Sequence, residues 1–206
     1  RRDRCSTSAP GPSAAAVHFL VEQRNVNGWG VEAVGTDAGG VLLVGKSGSG
    51  KSTTALACLN AGLRYLGDDY CLVAATPHPT VYSLYSSGKV HFADLARFPR
   101  LQSAQSANHY TDADKALYFF AHPLAAQIVP SLPLKAVLLP IIKPAGQSKV
   151  SPISPAMALL GMAPSTVFQL VGEKPQTLQQ LGQLVRQLPC YRLELGPDIG
   201  AIPAYI

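Results

Sequence analysis

The feature that most constrains this chain is a glycine-rich loop set between an apolar run and a helical run. Gly40-Val41-Leu42-Leu43-Val44-Gly45 is short and continuously apolar, as expected of a strand buried on both faces. Gly45-Lys46-Ser47-Gly48-Ser49-Gly50-Lys51-Ser52 follows and fits the phosphate-loop pattern G-x-x-x-x-G-K-[ST]. Lys51 to Asn60 then reads as a helix, with Ala55, Leu56 and Leu59 at helical spacing and Gly62 as a left-handed stop. A further strand-like run, Tyr70 to Ala74, comes after Gly67-Asp68-Asp69. Strand, loop, helix, strand is the opening of an α/β nucleotide-binding domain.

The residue types in the loop match a single chemistry. Gly45, Gly48 and Gly50 let the backbone turn sharply and bring N–H groups against phosphate oxygens, with Ser47 and Ser49 between them. The helix start adds its positive dipole end. Lys51 is placed to reach the β- and γ-phosphates, Ser52 to ligate Mg²⁺, and Thr53 to line the α-phosphate side. Nucleoside triphosphate binding follows from this pattern in this context. Asp68-Asp69 is the second feature. One carboxylate of such a pair can serve the cation while the other accepts a proton from an attacking hydroxyl. Asp94, Asp112, Asp114 and Asp198 stand in polar or turn contexts, so no apolar strand ending in an acid follows Tyr70. That argues against the motor, transporter and GTPase classes.

Composition narrows the setting. A chain of 206 residues with 47% hydrophobic and 14% charged residues can bury a sizeable core and is too apolar for disorder. The longest apolar runs, such as Ala136 to Ile142, fall far short of the ~20 residues of a membrane span. Cys5, Cys58, Cys71 and Cys190 are scattered without a C-x-x-C pair, which excludes a zinc ribbon and fits buried thiols in a reducing cytoplasm. The net charge of +5 is concentrated between Tyr70 and Gly172, where seven basic residues face three acidic ones. Such a surface suits phosphate or an acidic peptide. Without a basic run or interleaved aromatics, nucleic acid is not the expected partner.

Residues 1–16 read as a flexible leader or linker, and 17–206 as a single domain. The start without Met suggests that an N-terminal part precedes it. Ala16 to Val21 is strand-like, with Asn25 to Gly28 as a turn. Val81–Tyr85, Ala116–Phe120, Ala136–Ile142 and Tyr191–Leu195 are further expected strands. Phe92 to Phe98 reads as a short helix ended by Pro99, and Ser154-Pro155 opens another. Thr177 to Leu188 is an amphipathic helix with Leu178, Leu181, Leu184, Val185 and Leu188 on one face.

From Gly40 to Tyr70 the chain resembles the HPr kinase/phosphorylase family and its shorter relatives. The likeness rests on Gly40–Thr53, then Thr54-Ala55-Leu56, then Gly62-Leu63-Arg64-Tyr65-Leu66-Gly67-Asp68-Asp69-Tyr70. It extends more loosely through Tyr82–Lys89 and Leu188–Gly196. Such relatives occur in pathways to ribosomally made peptides, including lasso peptides, where they phosphorylate a precursor on serine. The resemblance implies an α/β P-loop core like the HPr kinase C-terminal domain and ATP-dependent phosphoenolpyruvate carboxykinase, a mixed sheet with flanking helices. It implies ATP, Mg²⁺ and transfer to a serine hydroxyl of a peptide or protein. By position, Asp68 would be the general base beside Lys51, and Asp69 the metal-side acid with Ser52. The family's larger members are hexamers, which leaves a homo-oligomer open here. This chain departs from the pattern at Thr53, where the family carries glutamate, and upstream, where Trp29-Gly30-Val31-Glu32-Ala33 stands in place of a family histidine. An ATP-binding regulatory module with little transfer activity and a small-molecule kinase are the alternatives.

Lys89, His91, Arg97, Arg100 and Lys115 are further candidates for the site or for an acidic acceptor, each weighed against an ordinary surface role. His78, His109 and His122 lack partners at metal-ligand spacing, and His18 is unanchored. Asn108 to Lys115 is expected to be a polar loop that orders over substrate.

Overall fold

An antiparallel neighbour close in sequence flanks one edge of the apolar run that precedes the glycine-rich loop, and a long parallel strand from far down the chain takes the other edge. The computed structural model describes residues 26–85, 87–103, 110–112, 114–120, 124–166 and 174–206. Strands β1 (Val26–Trp29), β2 (Glu32–Thr36) and β3 (Gly39–Leu43) lead to helix α1 (Lys51–Asn60). Strands β4 (Arg64–Gly67), β5 (Cys71–Ala74), β6 (Thr80–Ser83) and β7 (Ser87–His91) follow. A 3₁₀ turn over Phe92–Arg97 precedes α2 (Pro99–Ser103), β8 (Tyr110–Asp112) and β9 (Lys115–Phe119). The last part holds β10 (Ser131–Ile142), β11 (Lys149–Pro152), α3 (Pro155–Met162), α4 (Lys174–Gln187) and β12 (Cys190–Leu195).

Among the described residues these strands form a nine-stranded mixed sheet and a three-stranded antiparallel one in the order β7-β9-β8. In the larger sheet β10 runs parallel to β3 on one side and to β12 on the other. Its first residues pair antiparallel with β6. β2 lies antiparallel between β3 and β4. The chain is therefore mixed α/β with flanking helices. β4 does not lie beside β3, because β2 is inserted between them.

Side-chain alternation explains why β3 is apolar throughout. Val41 and Leu43 pack into one core with Ala55, Leu56 and Leu59 of α1. Leu42 and Val44 pack into a second core with Ala158 and Met162 of α3 and Leu181 and Leu184 of α4. A strand with a helix layer on each face has no polar side to offer. Helix α1 ends as its sequence demands. Gly62 takes φ +95°, its N–H donates to Leu59 O, and the Leu63 N–H donates to Cys58 O. That is the Schellman arrangement, with the left-handed residue a glycine. Ser154 caps α3 by accepting from the Met157 N–H at 3.3 Å, with Pro155 in the first turn.

Some expectations change. Of the turn expected at Asn25 to Gly28, Asn25 lies outside the described residues and Val26 onward is strand β1, paired with β5. Pro99 opens a helix rather than only ending one, because a proline suits the first helical turn. The strand expected at Ala136 begins at Ser131 and runs 12 residues, through Pro133 and Pro140. Pro140 is tolerated because β3 stops opposite Leu138, so alternation turns its missing N–H toward a side without a partner strand. The described residues at 110–112 and 115 are not loop but β8 and β9, a hairpin held by cross-strand pairing. The strand at Ala16–Val21, His18, His109 and His122 lie outside the described residues. No helix among the described residues is long and apolar enough to cross a membrane.

Helix α4 buries Leu181, Leu184 and Val185 as its period requires, but Leu178 is 47% exposed. Leu184→Ala is therefore expected to lower unfolding stability by about 2–5 kcal/mol, and Leu178→Ala by under about 0.5 kcal/mol. Urea denaturation of the two variants checks this, and equal losses would contradict the packing described.

Candidate functional site

Three neighbouring strands bring their ends to one edge of the sheet. β3 ends at Leu43, where the glycine-rich loop begins, and Glu32 at the start of β2 pairs directly with Leu43. One register position along, Ala33 pairs with Gly67, the last residue of β4, so Asp68 emerges beside Glu32. The loop then returns over this edge and delivers Lys51 and Ser52 on the first turn of α1.

The loop geometry follows from its glycines. Gly50 caps α1 at φ +99°, a left-handed conformation, and a Cβ there would lie 2.4 Å from a Leu195 methyl. Neither condition admits a side chain at low cost. Gly50 offers no capping side chain, and no acid stands in the first turn of the helix. The positive end of α1 is thus left for an outside anion. Lys51 Nζ donates to Gly45 O at 3.0 Å and Lys46 O at 3.4 Å, folding over its own loop. Ser47, Gly48, Gly50, Lys51, Ser52 and Thr53 line a cleft of about 500 Å³. Gly45 and Ser49 sit behind this lining, packed against each other.

Ser52 meets two carboxylates. Its Oγ lies 2.8 Å from Glu32 Oε1 and 3.0 Å from Asp68 Oδ1. A hydroxyl carries one hydrogen, so only one of them can accept from it at a time. Glu32 is 1% exposed, and its Oε2 is buried without a hydrogen-bond partner. Burial, then the charge of Asp68 and hydrogen bonding to it, push the Glu32 carboxyl well above the usual range, against the opposing pull of Lys51 and Ser52.

The two aspartates are held differently. Asp68 is 7% exposed, with one oxygen toward Ser52 and the other accepting from the Lys89 backbone N–H at 2.8 Å. Asp69 adopts φ +67°, keeps its side chain 47% exposed, and pairs with Lys89 Nζ at 2.7 Å. Lys89 therefore engages both acids, one through its backbone and one through its side chain. The Tyr65 hydroxyl, donating to Ser87 O at 2.8 Å, ties the small sheet to β4 beside it.

Glu32, Asp68 and Asp69 place carboxylate oxygens within 4.8 Å of one another. With the Ser52 hydroxyl this is a set of hard oxygen donors around an orphaned buried oxygen. It fits a Mg²⁺-like cation and not a thiolate- or imidazole-seeking one.

Of the residues the motif reading singles out, Ser47, Gly48, Gly50, Lys51, Ser52, Thr53 and Asp69 line the cleft, and Asp68 lies behind Ser52. Lys89, His91 and Lys115 also face the cleft. His91 and Lys115 are register partners across β7 and β9. Arg97 is engaged with Asp94 and Pro197 O, and Arg100 binds Asn60 at the far end of α1. Cys58, Cys71 and Cys190 are buried free thiols, with burial pushing Cys58 up to about 12. Glu32 is the residue sequence reasoning missed. The signal was an acid inside a buried apolar strand just upstream of the loop.

No family model matches this chain, and no curated relative does. Among solved structures, the Hpr(Ser) kinase/phosphatase from Coxiella burnetii is similar at TM-score 0.42 and 10% identity, over 87% of this chain and 90% of that one.

Because the raised Glu32 carboxyl holds a proton that the unfolded chain releases, cation-free stability is full at acid pH. It falls as pH rises from the ordinary glutamate range through the raised value. In EDTA, Glu32→Gln is expected to raise Tm at about pH 8 and to leave it nearly unchanged at about pH 4. An equal effect at both pH values would show that Glu32 is not held protonated.

Proposed function

We propose that this chain is an ATP- and Mg²⁺-dependent kinase that transfers the γ-phosphoryl group to a serine hydroxyl of a peptide or protein. The observation that carries the reading is one cleft in which Lys51, Ser52 and the open end of α1 meet Asp69, with Asp68 buried behind Ser52. Phosphate-binding and proton-accepting groups within one cleft are what phosphoryl transfer to an alcohol needs.

The N–H groups of the cleft-lining residues Ser47, Gly48 and Gly50 and of the first turn of α1 hold the phosphates, with Gly45 and Ser49 supporting the loop from behind. Lys51 leaves its loop carbonyls and places its charge on the β- and γ-phosphate oxygens. A cation held through Ser52 and the neighbouring carboxylates supplies further charge neutralisation when bound. The acceptor oxygen bonds to the γ-phosphorus as the bond to the bridging oxygen of ADP breaks, and the hydroxyl proton passes to a carboxylate.

Geometry favours Asp69 as that carboxylate. It is half exposed and lines the cleft, whereas both oxygens of Asp68 are engaged and one points at Ser52. This is the reverse of the division the family resemblance implies, with Asp68 as base and Asp69 at the metal. Lys89 positions Asp69, and Lys89, His91 and Lys115 give the cleft a basic wall suited to an acidic acceptor.

Incubation with γ-labelled ATP, Mg²⁺ and HPr, a serine-ending precursor peptide or free serine tests the reading by mass. Transfer to a peptide or protein is expected. Asp69→Asn should slow transfer about 10²–10⁴-fold with ATP binding retained, and Lys51→Ala should weaken ATP binding. Loss of transfer in Asp68→Asn alone, with Asp69→Asn active, would return the base to Asp68. ATP binding without transfer to any acceptor, cell lysate included, would favour the regulatory module.

A further inference from the structure

We infer that Glu32 is a direct ligand of a divalent cation held with Ser52 and Asp68, and that this site takes its cation before nucleotide arrives. The inference deepens the proposed cation site, but its test needs no phosphate transfer.

The case starts from burial. A carboxylate 1% exposed, with one oxygen that no donor reaches and a second buried carboxylate beside it, is expensive as an anion, and a structure retains such a pair where a proton or a cation neutralises it. The Ser52 hydroxyl cannot do so, since it lies between Glu32 and Asp68 and has one hydrogen for both. Lys51 Nζ is committed to the carbonyls of Gly45 and Lys46, and Lys89 Nζ to Asp69. Of the three carboxylates within 4.8 Å of one another, Asp69 has Lys89, and among the described residues no salt bridge reaches Glu32 or Asp68.

The donor set selects the ligand. Glu32, Asp68 and Ser52 are all oxygen donors; the buried Cys71 thiol lies near enough to feel Glu32 and Asp68 but is not one of the groups within 4.8 Å of one another. Mg²⁺ and Mn²⁺ prefer such donors and keep water on their open positions. A cation in a phosphate-loop enzyme commonly relies on one or two carboxylates plus the nucleotide's phosphates. Here a second buried carboxylate, fixed by the β2–β3 register, supplies charge that the phosphates would otherwise bring. The donors come from β2, the end of β4 and α1, and the sheet holds all three in place without nucleotide.

Titration of the full chain with Mn²⁺ in nucleotide-free buffer, read by loss of the free-ion electron paramagnetic resonance signal, tests this. One Mn²⁺ is expected to bind the wild type and to be displaced by excess Mg²⁺. Glu32→Gln, checked for folding by thermal melting, should weaken binding at least about tenfold. Lys51→Ala should keep Mn²⁺ binding while losing affinity for ATP. Mn²⁺ binding by the wild type only when nucleotide is present would overturn the inference, and so would a folded Glu32→Gln that binds as the wild type does. Should Glu32→Gln not fold, the wild-type titration and Asp68→Asn decide it, since undiminished binding in Asp68→Asn also contradicts the site. Absence of phosphate transfer with Mn²⁺ binding intact would count against the kinase reading alone.

Discussion

One hydroxyl hydrogen shared between two carboxylates organises this site. Ser52 stands on the first turn of α1 and reaches Glu32 on β2 and Asp68 after β4. Those contacts require the β4-β2-β3 order and its register, because only that order brings a strand start between two strand ends at one edge. The price is a pair of buried carboxyl groups that cannot both ionise cheaply without a cation, which a well-packed apolar substitute would avoid. A sheet edge that concentrates negative charge beneath the positive end of a helix is arranged for something that carries both a cation and an anion.

The two cores secure that edge. β3 is packed from both faces, and β10 and β12 extend the parallel region beside it. The loop is thus mounted on the least deformable part of the sheet, where displacement would open voids in two cores. The small sheet is attached differently. It reaches the site through Lys89 and the Tyr65–Ser87 bond, and it brings His91 and Lys115 to the lining of the cleft. A rigid floor and a separately built wall suit a site that holds one partner constant and admits another.

Much of the floor was legible in the sequence. The apolar run, the glycine-rich loop, the helix from Lys51 to Asn60 and its stop at Gly62 are local, and local chemistry specifies them. Asp68 and Asp69 could be found because they follow the loop closely in sequence. Their unequal burial could not, since it depends on β2 lying between β3 and β4 and on Lys89 arriving from another sheet. Glu32 was hidden for the same reason. An acid in Val31-Glu32-Ala33-Val34 looks like a strand's polar face until pairing shows that both faces of that strand are covered. β10 was under-read because Pro133 and Pro140 look like breaks, and only the neighbouring strands show where a missing N–H does no harm.

The central claim is that the glycine-rich loop, Ser52 and the buried carboxylates form one nucleotide and cation site. Its most direct test is a crystal structure with Mn²⁺ and a non-hydrolysable ATP analogue, with the metal located by anomalous scattering. The account requires the analogue's phosphates on the loop N–H groups and the anomalous peak within coordination distance of Ser52 Oγ and a Glu32 or Asp68 oxygen. A peak away from these oxygens, or phosphates bound elsewhere than at the start of α1, would contradict it.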